Sequence, residues 1–291
     1  MKKKRKFGDR KEGRRLRTLP PISYVSPYLM PSRTGAQNLM ADTIEITETD
    51  KFLRELRANG YKNISVLHII IAAYVRVLAT RPALNRFCSG QKLYHRNDIE
   101  IIMTVKRDMS LESEDTVVKV KFEPDDTLME VYEKFNAVVS EAVAEDADTD
   151  LDKTLGILTK LPGFVFRIAV AILKFLDYYG FIPQSLLDVS PFHGSMVLTS
   201  LGSLGIPPVF HHLYDFGNAP LFIAYGRKYS QNELNSDGSV KKKVCMDVKL
   251  SVDERVCDGY YFASAFKMFK KMVASPEVLM TPPEEIIEDI D

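Results

Sequence analysis

Residues 42–47 (Asp-Thr-Ile-Glu-Ile-Thr) alternate polar and apolar, the period of a half-buried strand. Thr49 and Asp50 can cap a helix that runs to about Leu56, with Gly60 ending it. Ser65 opens a second helix over 66–80. That helix is apolar nearly all round, which places it deep in a core, and Pro82 follows its end. Residues 99–105 and 116–122 read as strands joined by a polar loop. Asp126 or Thr127 then caps an amphipathic helix to about Ala144, with Leu128, Val131, Phe135 and Val138 on one face. The acids from Glu145 to Asp152 predict a solvated break. Three more strands are expected at 196–201, 221–226 and 244–250. Gly202 and Gly205 turn the chain after the first, and Asn235 to Gly238 form a turn between the last two. A final helix spans 261–273 and stops at Ser275-Pro276. Pro20, Pro21, Pro27 and Pro31 predict an extended, turn-rich entry over 18–34. Helices and strands mix without a strict βαβ repeat or any internal repeat.

The stretch 164–182 is apolar enough to suggest a membrane span, but Arg167, Lys174 and Asp177 interrupt it. Spaced seven and three apart, these charges share one stripe of a helix with a wide apolar face. Three uses fit such a helix: core or subunit packing, a lid over a pocket, or an interfacial helix on a membrane surface.

Composition narrows the class. A chain of 291 residues that is 45% hydrophobic folds around a sizeable core. Net charge is zero but uneven: residues 1–17 hold ten Lys/Arg against Asp9 and Glu12, and Glu284 to Asp291 hold five acids. Both ends read as solvated tails, or the basic one as an arm for an acidic partner or an anionic membrane. No aromatic interleaving or groove-reading motif points to nucleic acid. Cys88, Cys245 and Cys257 are widely spaced, without a Cys-x-x-Cys pair or a secretory signal, so free buried thiols in a reducing cytoplasm are expected.

Three blocks carry the chemistry. The first is Arg81-Pro82-Ala83-Leu84-Asn85-Arg86-Phe87 after the buried helix. The second runs from Leu198-Thr199-Ser200-Leu201-Gly202 to Gly205, with Asn218-Ala219-Pro220 beyond it. The third is Asp253-Glu254-Arg255-Val256-Cys257-Asp258-Gly259, with its helix ending in Ser275-Pro276-Glu277-Val278-Leu279. Together, from about Arg33 to Leu279, they resemble the CoA-dependent acyltransferases, the family of chloramphenicol acetyltransferase and the catalytic domain of dihydrolipoyl acyltransferases.

The resemblance implies an α/β (α+β) two-layer sandwich with a mixed sheet. It implies a basic, Pro-rich arm at 1–32, a catalytic domain at 33–280 with a helical insertion near 155–190, and an acidic tail at 281–291. It also implies direct acyl transfer between CoA and a thiol or hydroxyl acceptor. A histidine in the motif His-x-x-x-Asp-Gly acts as base, and a Ser or Thr hydroxyl binds the oxyanion. Here Thr199 supplies that hydroxyl, with Ser200 beside it. Asp258 organises the site by charge pairing, and Gly259 starts a helix where backbones approach closely. The base position holds Glu254.

A glutamate at ~4.3 is a weak base towards a thiol at ~8.5 unless burial raises it, and a salt bridge to an arginine such as neighbouring Arg255 would lower it. Either Glu254 serves as base or the fold persists as a CoA- or acyl-binding scaffold. Among the histidines, His68 reads as core and His95 as part of a polar loop, while His193 and His212 (beside His211) are pocket candidates. No ligand set at metal spacing is apparent. The resemblance further implies a trimer with Thr199 facing residue 254 of a neighbour and CoA in a tunnel. The family's multienzyme members carry a lipoyl domain ahead of the catalytic one, but the ~30 residues before the match are too few for it, so no lipoyl group in cis is expected. A lipoyl-bearing partner would therefore be a separate chain.

Overall fold

The computed structural model describes residues 5–106, 115–143 and 162–291. The break expected at 145–152 and the first part of the expected insertion lie outside them.

Two sheets organise the chain. The small one is β1 (Gly13–Arg15), β4 (Lys92–Arg96) and β3 (Arg86–Ser89), in that order and antiparallel. The large one runs β2 (Gln37–Glu45), β9 (Val240–Asp253), β8 (Leu221–Leu234), β7 (Met196–Ser200), β5 (Ile99–Lys106) and β6 (Asp115–Phe122). It is mixed: β7 pairs in parallel with both β5 and β8, and the other contacts are antiparallel.

Among the described residues the α-helices are α1 (Pro21–Leu29), α2 (Thr47–Ala58), α3 (Val66–Thr80), α4 (Leu128–Val143), α5 (Gly163–Tyr179), α6 (Gln184–Val189) and α7 (Gly259–Ala274). One face of the large sheet packs on α3, α4 and α7, giving a sheet layer and a helix layer around a shared core. As the all-round apolar pattern predicts, α3 lies at its centre, with Ile69, Ile70, Ile71, Ala73 and Val75 fully buried.

His68 belongs to that core. The Ser65 N–H donates to its Nδ1 at 3.1 Å, and its ring meets Tyr132 and Phe135. Burial pushes its pKa down to about 4. A histidine whose folded pKa lies below its unfolded value costs stability once the unfolded chain binds the proton. Stability is therefore expected to fall as pH drops from about 6.5 towards 4, by on the order of 3 kcal/mol. Urea titrations across that range, repeated with His68→Gln, check this; the substitution should flatten the slope.

Several expectations are corrected. The segment 18–34 is not merely extended: Pro21 at the first helical position, with its preset φ, starts α1. α2 begins at Thr47, ahead of the expected cap, because the Thr49 hydroxyl is spent on the Val273 carbonyl. β8 and β9 run well past the expected strands as a long exposed hairpin. Its distal half, with pairs such as Lys243–Glu233, has polar residues on both faces and so carries no apolar alternation.

The charged ends are not free tails. Asp291 pairs with Lys6 and Arg14, and Asp289 is buried against Arg86 and His95. Burial alone would raise the Asp289 carboxyl's pKa, but the Arg86 hydrogen bonds hold it well below the usual carboxylate range. The basic arm's acidic partner is thus, at least in part, the chain's own C-terminal segment. His95 sits in β4 rather than in a loop.

Candidate functional site

The loop after β9 is built on a buried ion cluster. Asp253 is fully buried and receives Arg255 in two parallel hydrogen bonds, Nε to Oδ1 at 2.8 Å and Nη2 to Oδ2 at 2.7 Å. Arg33 Nε lies 3.6 Å from the same carboxylate. The two arginines then tie down separate strands of chain. Arg255 Nη1 donates to the Met30 carbonyl, and Arg33 donates to the carbonyls of Cys88 and Tyr214. Burial pulls the pKa of both guanidiniums down. At Arg255 the Asp253 hydrogen bonds outweigh that pull and raise it, whereas at Arg33 burial prevails.

Within this chain Arg255 pairs with Asp253 and not with Glu254. Asp258 is the exposed N-cap of α7, its Oδ1 accepting the Tyr261 N–H at 2.8 Å. Gly259 opens α7 where a side chain would meet nothing, so no close backbone approach within the chain requires it. Cys257 is half-buried, and burial pushes its thiol up to about 12, consistent with packing rather than nucleophilic use.

Glu254 is held by its neighbours and left open to solvent. Its N–H donates to the Ala36 carbonyl, and its Oε2 accepts the Asn38 amide at 2.7 Å. Asn38 is a residue the sequence analysis did not single out. Its signal is register alone: β2 pairs antiparallel with β9, which sets Gln37 against Asp253 and Asn38 against Val252. A cleft of ≈ 480 Å³ opens beside α7's first turn, lined by Arg81, Arg86, Tyr260, Tyr261 and Ile287 among others.

Thr199 and Ser200 end β7 and are half-buried. Met196 and Leu198 point into the core, so Thr199 projects from the opposite face. The Ser200 side chain hydrogen-bonds the Tyr225 phenol, whose pKa burial nevertheless raises to about 12. Thr199 lies beside Ala224 of β8, and Ala224 beside Lys249 of β9. Glu254 is therefore five residues and two strands away from Thr199. At ordinary strand spacings that is on the order of 20 Å. One chain does not bring the two together.

Between them, on the outer face of the sheet, runs the segment 206–216. It starts where Pro208 packs on Gly226, whose missing Cβ makes room for it. His211 stacks on Phe222 at 4.2 Å, and its carbonyl accepts the Ser251 hydroxyl. The Leu213 N–H donates to Gln37. His212, set between these two anchors, therefore lies towards the Glu254 end, with its ring edge-on to Tyr214 at 5.2 Å.

His193 does not join either half. Both ring nitrogens are engaged, Nδ1 with Ser190 Oγ at 2.7 Å and Nε2 with Asp177 Oδ1 at 3.2 Å. All three residues are buried, and Asp177 also accepts Arg10 and the Gly217 N–H. Burial lowers the His193 pKa against the pull of Asp177. A serine, a histidine and an aspartate in line look like a nucleophile triad, but here they form a buried tie between α5 and the body. Among the described residues, no group of three His, Cys, Asp or Glu could hold a metal.

This architecture, a mixed sheet with helices, is the fold of chloramphenicol acetyltransferase and of the dihydrolipoamide acyltransferase catalytic domains. The cubic core of the pyruvate dehydrogenase multienzyme complex matches at TM-score 0.58 and 13% identity, over 91% of this chain and 93% of that one. Dihydrolipoamide acetyltransferase from Azotobacter vinelandii matches at 0.56 and 16%, over 94% and 95%. A chloramphenicol acetyltransferase matches at 0.54 and 9%, over 87% and 94%. No protein-family model and no curated protein sequence matches the chain.

Proposed function

We propose that this protein is a CoA-dependent acyltransferase whose active site forms between subunits, Thr199 of one meeting Glu254 of the next. The observation that carries the proposal is the register of β7, β8 and β9, which holds the two residues on the order of 20 Å apart in one chain. A reacting carbonyl must lie within hydrogen-bond reach of both its base-activated nucleophile and its oxyanion donor. Only a second copy satisfies that, and a trimer closes the arrangement. The cubic core among the solved neighbours supports an oligomer. The Azotobacter vinelandii enzyme is described with a serine, a histidine and an asparagine in its catalytic mechanism, the last two four positions apart. Glu254 and Asp258 have that spacing, and Thr199 offers the hydroxyl.

In this reading Glu254 takes the proton from a thiol or hydroxyl acceptor. The acceptor oxygen or sulfur adds to the acyl thioester carbonyl, and the Thr199 hydroxyl donates to the oxyanion. Collapse expels CoA thiolate, which recovers the proton from Glu254. Closure by the neighbouring subunit would desolvate Glu254 and raise its basicity. Asp258 fixes the start of α7, and His212 lies at the same end of the site.

One observation favours a second reading. The Asn38 amide donates to Glu254 and so stabilises its charged form. Under that reading the fold binds CoA or acyl groups without turnover. Acyl-CoA consumption with a panel of thiol and hydroxyl acceptors separates the two. Turnover lost in Glu254→Gln supports the enzyme. CoA binding without turnover, with turnover gained in Glu254→His, supports the binding protein.

A further inference from the structure

The helix α5 presents a stripe that is exposed among the described residues. Phe164, Ile168, Ile172, Phe175 and Tyr179 follow helical spacing along one face, and each is between 53 and 69% exposed. The helix meets the body at its C-terminal turn. There Asp177 is buried against Arg10 and His193, Gly180 ends the helix at φ 77° beside Arg10, and the Tyr178 hydroxyl donates to Gln91 at 2.7 Å. The expectation that Arg167, Lys174 and Asp177 share one stripe is corrected here. Asp177 turns inward to the body, and Arg167 and Lys174 remain in solvent along the border of the apolar stripe.

A second apolar surface adjoins the same turn. α1 exposes Ile22, Val25, Tyr28 and Leu29, and its Tyr24 and Tyr28 line a small cavity with Gln91 and Lys92. α1 contains no charged residue, and the one carboxylate of α5 is the buried Asp177. Among the described residues, the exposed charges on α5 and at the start of β4 beside α1 are Arg167, Lys174 and Lys92, all cationic.

We propose that α5, with α1 beside it, docks on an anionic lipid bilayer and lies in the interface plane. An amphipathic helix with aromatic and branched residues on one side and cations along the border buries its apolar face at the headgroup boundary while the cations reach lipid phosphates. Among the described residues no helix is long and apolar enough to cross a membrane, so the contact is peripheral. A second copy covering α5 face to face, as in a two-fold dimer, would bring the Arg167 and Lys174 cations of the two copies together, which charge complementarity disfavours. A cyclic assembly that covers the stripe with a different surface is the outcome that sedimentation detects. The buried tie at Asp177 would fix the body's orientation on the surface. This proposal stands independently of the acyltransferase reading.

Flotation of the full chain with phosphatidylcholine vesicles, with and without about 30% phosphatidylserine, tests it. Binding is expected to the anionic vesicles and to fall with added salt. The double substitution Ile168→Asp with Ile172→Asp, and separately Arg167→Glu with Lys174→Glu, should each weaken binding by at least about tenfold. The melting temperature should hold in both, because the replaced side chains are solvent-exposed. Failure of the unaltered chain to float, or binding unchanged in both variants, would overturn the proposal. So would sedimentation showing that the Asp variant dissociates an oligomer, since a second copy would then be the occupant.

Discussion

Asp253→Ala is expected to lower folding stability by about 3–5 kcal/mol, a large share of what a single domain possesses. The carboxylate is fully buried, and its removal would strand two guanidiniums that are themselves almost wholly buried. Breaking one partner out of a buried ion cluster costs far more than the cluster contributes on balance, because the remaining charge keeps its desolvation penalty. The loss would also be felt at the site. Arg33 and Arg255 hold the Tyr214 and Met30 carbonyls, and so anchor both the segment that carries His212 and the turn that leads to Asn38. Asp253→Asn keeps the shape but not the charge and should cost nearly as much. Urea denaturation measures both, and a change below about 1 kcal/mol would mean that the arginines find water or another acid.

The second large effect is on turnover. Thr199→Val keeps volume and strand preference while removing the hydroxyl, and a drop of about 10²–10³ in kcat is expected from loss of one oxyanion donor. Glu254→Gln keeps the Asn38 contact geometry and removes the base, with an expected drop of about 10²–10⁴. Neither should shift the melting temperature appreciably, since Glu254 is exposed and Thr199 lies on the face away from the core. Full activity in Glu254→Gln would assign proton removal to another group, with His212→Ala the next variant to assay.

The fold was legible in the sequence wherever a segment's apolar period matched its burial. α3 reads as central because every side of it is apolar, and β7 because a short apolar strand runs into Gly202. What stayed hidden depends on pairing between distant segments. β3 and β4 interleave charged with apolar residues, and the sheet they make is completed by the distant N-terminal β1 pairing with β4. The motif from Asp253 to Gly259 could be found by its spacing, but its internal roles could not. Three carboxylates within six positions look alike in one dimension. Burial makes Asp253 the ion-pair hub, exposure leaves Glu254 with Asn38, and the helix start makes Asp258 a cap. Likewise, His193 next to the Thr199 strand looked available, and only the fold places Asp177 against it, sixteen residues away.

The separation of Thr199 from Glu254 within a chain makes the central claim directly measurable. Chains carrying Thr199→Val and chains carrying Glu254→Gln, each inactive alone, are unfolded together in equal amounts, refolded and assayed for acyl transfer. If each site takes its threonine from one subunit and its glutamate from the next, random assembly restores both residues in about a quarter of the sites, and about a quarter of the unaltered activity returns. If the two residues act within one chain, or do not act together at all, the mixture stays as inactive as its parents.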